Sequence, residues 1–242
     1  MPPASAGVAF VAGASGAIGA VLCRLLLQDG WRVVGTTRSG ERAERLRSLG
    51  VIPVVLDVFD RQALVDAVRG AAPEVVVHQL TDLPKQATPE GMAAARARNA
   101  RIREAGTENL VAAATAAGAK RIVAQSIAFA YLRGPQPYTE ASPLDSSSYS
   151  SVVTLEGLVL GSGAVSIVLR YGRLYGPNTW ATSPPANGPV HVHAAADAAR
   201  KAMTLGSHGV YNVAEDDGFV SSEKAKRDLH WSPAFRLKPP EG

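Results

Sequence analysis

Val8-Ala9-Phe10-Val11-Ala12-Gly13-Ala14-Ser15-Gly16-Ala17-Ile18-Gly19 is the stretch whose reading decides the fold. The apolar run over 8–11 reads as a short buried strand. From 16 to 28, Ile18, Val21, Leu22, Leu25 and Leu26 recur at helical spacing and share one side. Between the two lies Gly13-x-x-Gly16-x-x-Gly19. Glycines permit a tight turn and a close backbone approach, and the first amides of a helix have no intrahelical acceptor. A strand, a glycine turn and a helix start, in that order, form the context in which such spacing cradles a diphosphate. Gly13, Ser15, Gly16, Ala17, Ile18 and Gly19 are therefore the candidate dinucleotide-binding residues. A tight turn without a ligand is the alternative.

The alternation continues outward. Strands are expected over 32–36, 51–56, 74–79, 121–125 and 165–169, and helices over 41–49, 61–68, 88–117 and 151–160. Val75-Val76-Val77 is apolar on both faces, as in a central parallel strand covered by helices on both sides. Residues 133–148 and 176–189 read as polar loops, with an extended piece over 190–192, a helix over 194–205 and a strand over 210–213. Repeated β-α-β units imply an α/β fold, a doubly wound parallel sheet with right-handed crossovers.

Composition agrees. The chain has 242 residues, 46% hydrophobic and 19% charged, with 23 Gly, 16 Pro and one Cys. That length suits a single domain over 1–242, with a dinucleotide-binding core over 7–175 and a short C-terminal cap over 176–242. The composition excludes a collagen, a disulfide-knit module and a fully disordered chain. The net charge is +4, and the densest basic stretch, Arg96, Arg98, Arg101 and Arg103, reads as the solvated face of a helix. No nucleic-acid partner is expected, because no basic patch is interleaved with aromatics. The lone Cys23 sits on the apolar side of the first helix and reads as core, which fits a reducing compartment and a cytoplasmic location. No apolar run is long enough for a membrane span. The apolar segment 6–27 lacks a basic start and is broken by its glycines, so it reads as structure rather than a leader.

Strand ends carry the chemistry. The second strand ends in Thr36-Thr37-Arg38-Ser39, with no acid to bond the ribose hydroxyls of NAD. Arg38 can instead form a forked, charge-assisted contact with a 2′-phosphate, which favours NADP(H) over NAD(H). A solvated Arg38 opening a loop is the plainer reading. The fourth strand ends in His78-Gln79-Leu80-Thr81, so Gln79, Leu80 and Thr81 are expected beside the cofactor. His78 could be a base, but a buried imidazole satisfied by the backbone is the favoured reading. His191 and His193 share a face without a third ligand, and no metal site is expected.

The glycine spacing and several later segments resemble the short-chain dehydrogenase/reductase superfamily, in its extended or atypical branch, the NAD-dependent epimerase/dehydratase family. Those segments are Leu56-Asp57-Val58, Gly106-Thr107, Asn109-Leu110, Arg121 to Ser126, Leu169-Arg170-Tyr171-Gly172 and Tyr175-Gly176-Pro177. The resemblance implies a Rossmann-like fold with Asp57 and Val58 at the adenine and Tyr171 near the cofactor. It also implies an active-site hydroxyl at Ser126 and a homodimer paired through helices within 88–117 and 151–160. The family's proton relay is a Tyr with a Lys four residues later. Here Tyr149 is followed by Val153, and no Lys occurs between Lys120 and Lys201. A tyrosine without a neighbouring cation is a poor base at neutral pH. Tyr149 and Tyr131 therefore both stand as candidate proton donors, with Arg170 as a possible source of positive charge. The substrate-binding part is short against the family, so the pocket is small, open, or completed by a partner. Three readings stand: an NADP(H)-dependent oxidoreductase or epimerase acting on a carbonyl or alcohol carbon of a small metabolite; a dinucleotide sensor without turnover; and an isomerase or lyase on the same scaffold.

Overall fold

The computed structural model describes residues 7–84 and 86–237. The elements in chain order are β1 (Val8–Ala12), α1 (Ala17–Gln28), β2 (Arg32–Thr37), α2 (Gly40–Ser48), β3 (Ile52–Val55), α3 (Arg61–Ala71) and β4 (Val75–His78). Then follow α4 (Pro89–Arg101), a π-helical turn (Ile102–Gly106), α5 (Thr107–Ala116), β5 (Arg121–Ile127), α6 (Ser150–Leu160) and β6 (Val165–Tyr171). The chain finishes with β7 (Arg173–Tyr175), β8 (Pro189–His191), α7 (Val192–Ala202), β9 (Gly209–Val213) and α8 (Glu223–Asp228).

Seven strands form one parallel sheet in the order β3-β2-β1-β4-β5-β6-β9, and β7 pairs with β8 in a separate ribbon. Alternate side chains feed two cores. Ala9, Val11, Val77, Val123 and Leu169 pack with α1 and α7, whereas Phe10, Val76, Ile122, Ala124 and Val168 pack with α3, α5 and α6. Burial on both faces explains the unbroken apolar runs of the central strands. The chain leaves β1 toward β2 and β3, then crosses back to place β4 on the other side. The strand order reverses there, and a crevice opens above the C-terminal ends of β1 and β4.

Local chemistry sets the helix starts. Ser39, Asp60 and Thr88 accept from the backbone amides of Arg42, Ala63 and Gly91 and cap α2, α3 and α4. At α1 the capping position is Gly16, with no side-chain cap, so its first amides face the crevice unclaimed.

Three expectations need correction. The helix over 88–117 is two α-helices joined by the π turn, where the side-chain oxygen of Thr107 donates to the carbonyl of Ile102 at 3.4 Å. Strand six runs past Leu169 to Tyr171 and so carries Arg170 into the interior, 5% exposed. The part after Gly176 is more than a cap: β9 extends the main sheet and α7 covers one of its faces. Among the described residues no helix is long and apolar enough to cross a membrane.

Candidate active site

The glycine turn is held from three sides. Gly13 has φ +89°, a left-handed backbone, and donates its amide to Thr36 Oγ1 at 3.2 Å. A Cβ on Gly13 would stand 2.4 Å from the carbonyl oxygen of Gln79, and one on Gly19 2.2 Å from that of Gly13. Both positions thus exclude any side chain, and the turn sits tight against β4 while the start of α1 sits tight against the turn. Ser15 faces the crevice and donates to Thr37 Oγ1 at 3.3 Å. Ala17 opens α1, and the Ile18 side chain packs into the core beneath.

The crevice above is lined by Gly13, Ser15 and Gly16 on one side and Asp57, Val58 and Phe59 on another. Gln79, Leu80 and Thr81 lie on its β4 side, and Thr37, Arg38 and Arg42 lie at the end of β2. Gln79, Leu80, Thr81, Asp57 and Val58 are thus brought together around one crevice. The carbonyl of Leu80 accepts from Gln125 Nε2 at 2.7 Å, which fixes that wall. Asp57 Oδ1 accepts the amide of Phe59 at 3.0 Å, and the Arg101 guanidinium lies 3.9 Å from the Phe59 ring centre. Arg38 is exposed and reaches Asp82 at 3.3 Å, and Arg98 meets the same carboxylate at 3.4 Å. Arg42 escaped the sequence reading; its signal was a second Arg one helical turn beyond Arg38.

These bare amides, the two excluded Cβ positions and an acid-free end of β2 flanked by Arg38 and Arg42 fit a nicotinamide dinucleotide.

Tyr171 lies elsewhere. It is 2% exposed, its hydroxyl accepts from Gln79 Nε2 at 3.3 Å, and burial pushes its pKa up. It supports the crevice floor rather than lining it. Gln79 Oε1, also buried, has no hydrogen-bond partner among the described residues.

The catalytic candidates separate. Ser126 is buried and donates to Glu156 Oε1 at 2.6 Å. Arg170 grips the same carboxylate through Nε at 2.9 Å and Nη2 at 2.7 Å. Its Nη1 donates to the Tyr131 hydroxyl at 3.0 Å, and Tyr131 donates to Asn212 Oδ1 at 2.5 Å. Register explains the grouping: Ser126 pairs with Arg170 and Arg170 with Asn212 across three strands, so all three project to one face. Burial works against the Arg170 charge, but the bonds and attraction of Glu156 outweigh it and raise its pKa further. Burial likewise raises the pKa of Tyr131. Arg170 is thus shared between Glu156, which it grips through two nitrogens, and the Tyr131 hydroxyl. Glu156 was not singled out from sequence, because its partners lie far along the chain.

Tyr149 stands at the N-cap of α6, half-buried, and its hydroxyl makes no hydrogen bond within the described residues. Positions 152 and 153 are both Val, so no lysine reaches it from α6 in either register. The π turn places Arg103 within electrostatic reach of the Tyr149 side chain. This revises the solvated reading of the basic stretch: Arg98 and Arg101 are exposed, but the π turn leaves Arg103 half-buried.

His78 is fully enclosed, with its pKa lowered to about 4 by desolvation, opposed in part by its own backbone hydrogen bond. Nδ1 accepts the amide of Leu80 at 3.3 Å, and Nε2 meets Thr107 Oγ1 at 3.0 Å. A neutral ring with both nitrogens used is structural, as favoured. His191 caps α7 by accepting the His193 amide at 3.1 Å, and no group of three or more metal-ligating side chains occurs among the described residues. Cys23 is buried, and desolvation pushes its thiol up to about 12.

Fold and site together define a dinucleotide-binding α/β enzyme scaffold of the epimerase, dehydratase and reductase type. Residues 9–229 match the NAD dependent epimerase/dehydratase family, and the chain belongs to it. A curated relative from Streptomyces sp, 3-diazoavenalumate denitrifying reductase, is 44% identical over 181 residues, which cover 70% of this chain and 57% of the relative. The chain therefore spans just over half the length of that relative. Among solved structures, Bordetella bronchiseptica WbmG in complex with NAD and UDP superposes with a TM-score of 0.77 at 18% identity, covering 98% of this chain and 92% of that one. UDP-glucose 4-epimerase from Thermotoga maritima, with UDP-glucose, gives 0.75 at 19% identity, covering 95% and 94%. At such identities the likeness is one of fold.

Proposed function

We propose that this protein is an NADP(H)-dependent reductase that delivers hydride to an electrophilic carbon of a small organic molecule without a tyrosine–lysine proton relay. The observation that carries the reading is a crevice shaped for a dinucleotide beside an α6 that offers Val152 and Val153 where the relay's lysine would stand. When bound, the reduced nicotinamide supplies the hydride.

The chain's own residues divide the remaining work. The first amides of α1, after the Gly13–Gly16 turn, hold the diphosphate, and Asp57 and Val58 face the adenine. Arg38 and Arg42, with the Ser39-capped start of α2 between them, receive the 2′-phosphate. Ser126 stays bonded to Glu156, so any polarising role for it requires that bond to open. Tyr149 is the one candidate hydroxyl left without a partner and is the proposed proton donor wherever the product needs a proton.

The relative's name points to an electrophile that needs none. Replacing a diazonium group by hydride forms one C–H bond, breaks one C–N bond and releases N2, with no proton consumed. A site lacking the relay suits that chemistry better than carbonyl reduction, in which an oxyanion must be protonated. A sensor that binds the dinucleotide without turnover is the second reading, drawn from the same missing lysine. The test is NADPH oxidation, followed at 340 nm with and without protein, against arenediazonium carboxylates and a ketone and aldehyde panel. Protein-dependent turnover with the former and little with the latter is expected. NADPH binding with no turnover on either panel would establish the sensor.

A further inference from the structure

We propose that Arg103 anchors the substrate: its guanidinium receives an anionic oxygen, carboxylate or phenolate, of a small aromatic acid lying beside Tyr149. This deepens the reductase reading and rests on it. Arg103 is presented by the π turn Ile102–Gly106, a local geometry that recurs at functional sites. The turn is firmly set. Thr107 Oγ1 bonds both the Ile102 carbonyl and His78, and a Cβ on Gly106 would stand 3.2 Å from Val58.

Of the neighbouring cations, Arg38 and Arg98 share Asp82, and Arg101 covers Phe59. Arg103 makes no hydrogen bond, ion pair or ring contact within the described residues. It is half-buried, and desolvation lowers its pKa. A guanidinium nonetheless stays charged at neutral pH. Its electrostatic neighbours are Tyr149 and the neutral His78, neither of them an anion. A cation drawn partly out of water with no carboxylate beside it is costly unless a ligand supplies the missing charge.

Exposed apolar side chains on the segments after the strand ends indicate the rest of that ligand. Leu83, Leu132 and Trp180 follow the C-terminal ends of β4, β5 and β7 and are 47%, 50% and 45% exposed. Trp180 Nε1 donates to the Pro84 carbonyl at 3.0 Å and so ties two of these segments together. Exposed apolar side chains suit an aromatic body, and the unpaired guanidinium suits one negative oxygen on it.

The experiment titrates NADP+-loaded protein with benzoate, 4-nitrophenolate and the neutral methyl benzoate, in the parent and in Arg103→Gln and Arg103→Lys. Loss of a charge-assisted bond predicts binding weakened about tenfold or more in Arg103→Gln for at least one anion. Arg103→Lys should recover part of that loss, with no change for methyl benzoate and none for NADPH. Benzoate against nitrophenolate tells which oxygen is read. Equal anion affinity in Arg103→Gln overturns the proposal, as does a parent that binds neither anion. A matching fall in NADPH affinity also overturns it, by assigning Arg103 to the cofactor. Failure of the parent to bind NADPH overturns the reductase reading instead; the anion titration without cofactor then decides the role of Arg103 by the same criteria.

Discussion

Removing Arg170 should leave a carboxylate stranded inside the protein. In Arg170→Met, Glu156 loses both guanidinium bonds and keeps only the Ser126 hydroxyl, while Tyr131 loses its donor. The two charged side chains are 6% and 7% exposed, so water does little to replace the partner. Breaking such a pair on one side costs roughly 3–5 kcal/mol. For a chain of this size that corresponds to a melting temperature lower by roughly 6–20 °C. Pairing the change with Glu156→Leu removes the stranded charge and should restore most of the loss, since a buried pair exchanged for apolar residues is often neutral. The assay is urea and thermal unfolding of both variants without cofactor. A loss below about 1 kcal/mol, as for an exposed pair, would refute the reasoning. So would a double variant no more stable than Arg170→Met alone.

Other expectations follow from the crevice and its supports. Gly19→Ala drives a Cβ to 2.2 Å from the Gly13 carbonyl and should weaken NADPH binding by tenfold or more, on the order of 1.4 kcal/mol, measured by fluorescence titration. Arg38→Ala with Arg42→Ala should weaken NADPH roughly 10- to 100-fold and leave NADH nearly unchanged; equal losses for both would remove the 2′-phosphate assignment. His78 has a folded pKa near 4, below the roughly 6.5 of a free imidazole, so its contribution is intact above about pH 6.5 and is lost as pH falls toward about 4. The sum is about 3 kcal/mol, and His78→Gln should flatten that acid limb in unfolding measured across the window. Sedimentation should find the homodimer expected from the helices within 88–117 and 151–160; a monomer at all concentrations would dismiss it.

The fold was legible because parallel strands buried on both faces write themselves as short apolar runs between helical periods. The crevice was legible for a related reason: it sits at the ends of those runs, where Gly13, Asp57 and Gln79 each follow a recognisable strand. What stayed hidden depends on partners remote in sequence. Arg170 falls just past the strand expected over 165–169, and only Glu156, on α6, lets that strand carry its charge into the interior. The π turn at Ile102–Gly106 is composed of ordinary helix-compatible residues, with a glycine at its end. It is fixed by Thr107 and by Val58 from another element, so the helical period runs through it unmarked and Arg103 is assigned to the wrong side. The ribbon of β7 and β8 is too short for any periodicity, and only its mutual pairing defines it.

The helix α7 presents Ala194, Ala195, Ala196, Ala198, Ala199 and Ala202, all fully enclosed, and packs against α1. Methyl groups are the thinnest spacers a helix can offer, so the two rods run close. Their separation fixes how far the start of α1 projects over the sheet. Thickening that spacer by even one branched side chain would push the rod outward and misplace the amides at its tip, although no residue near the dinucleotide had changed.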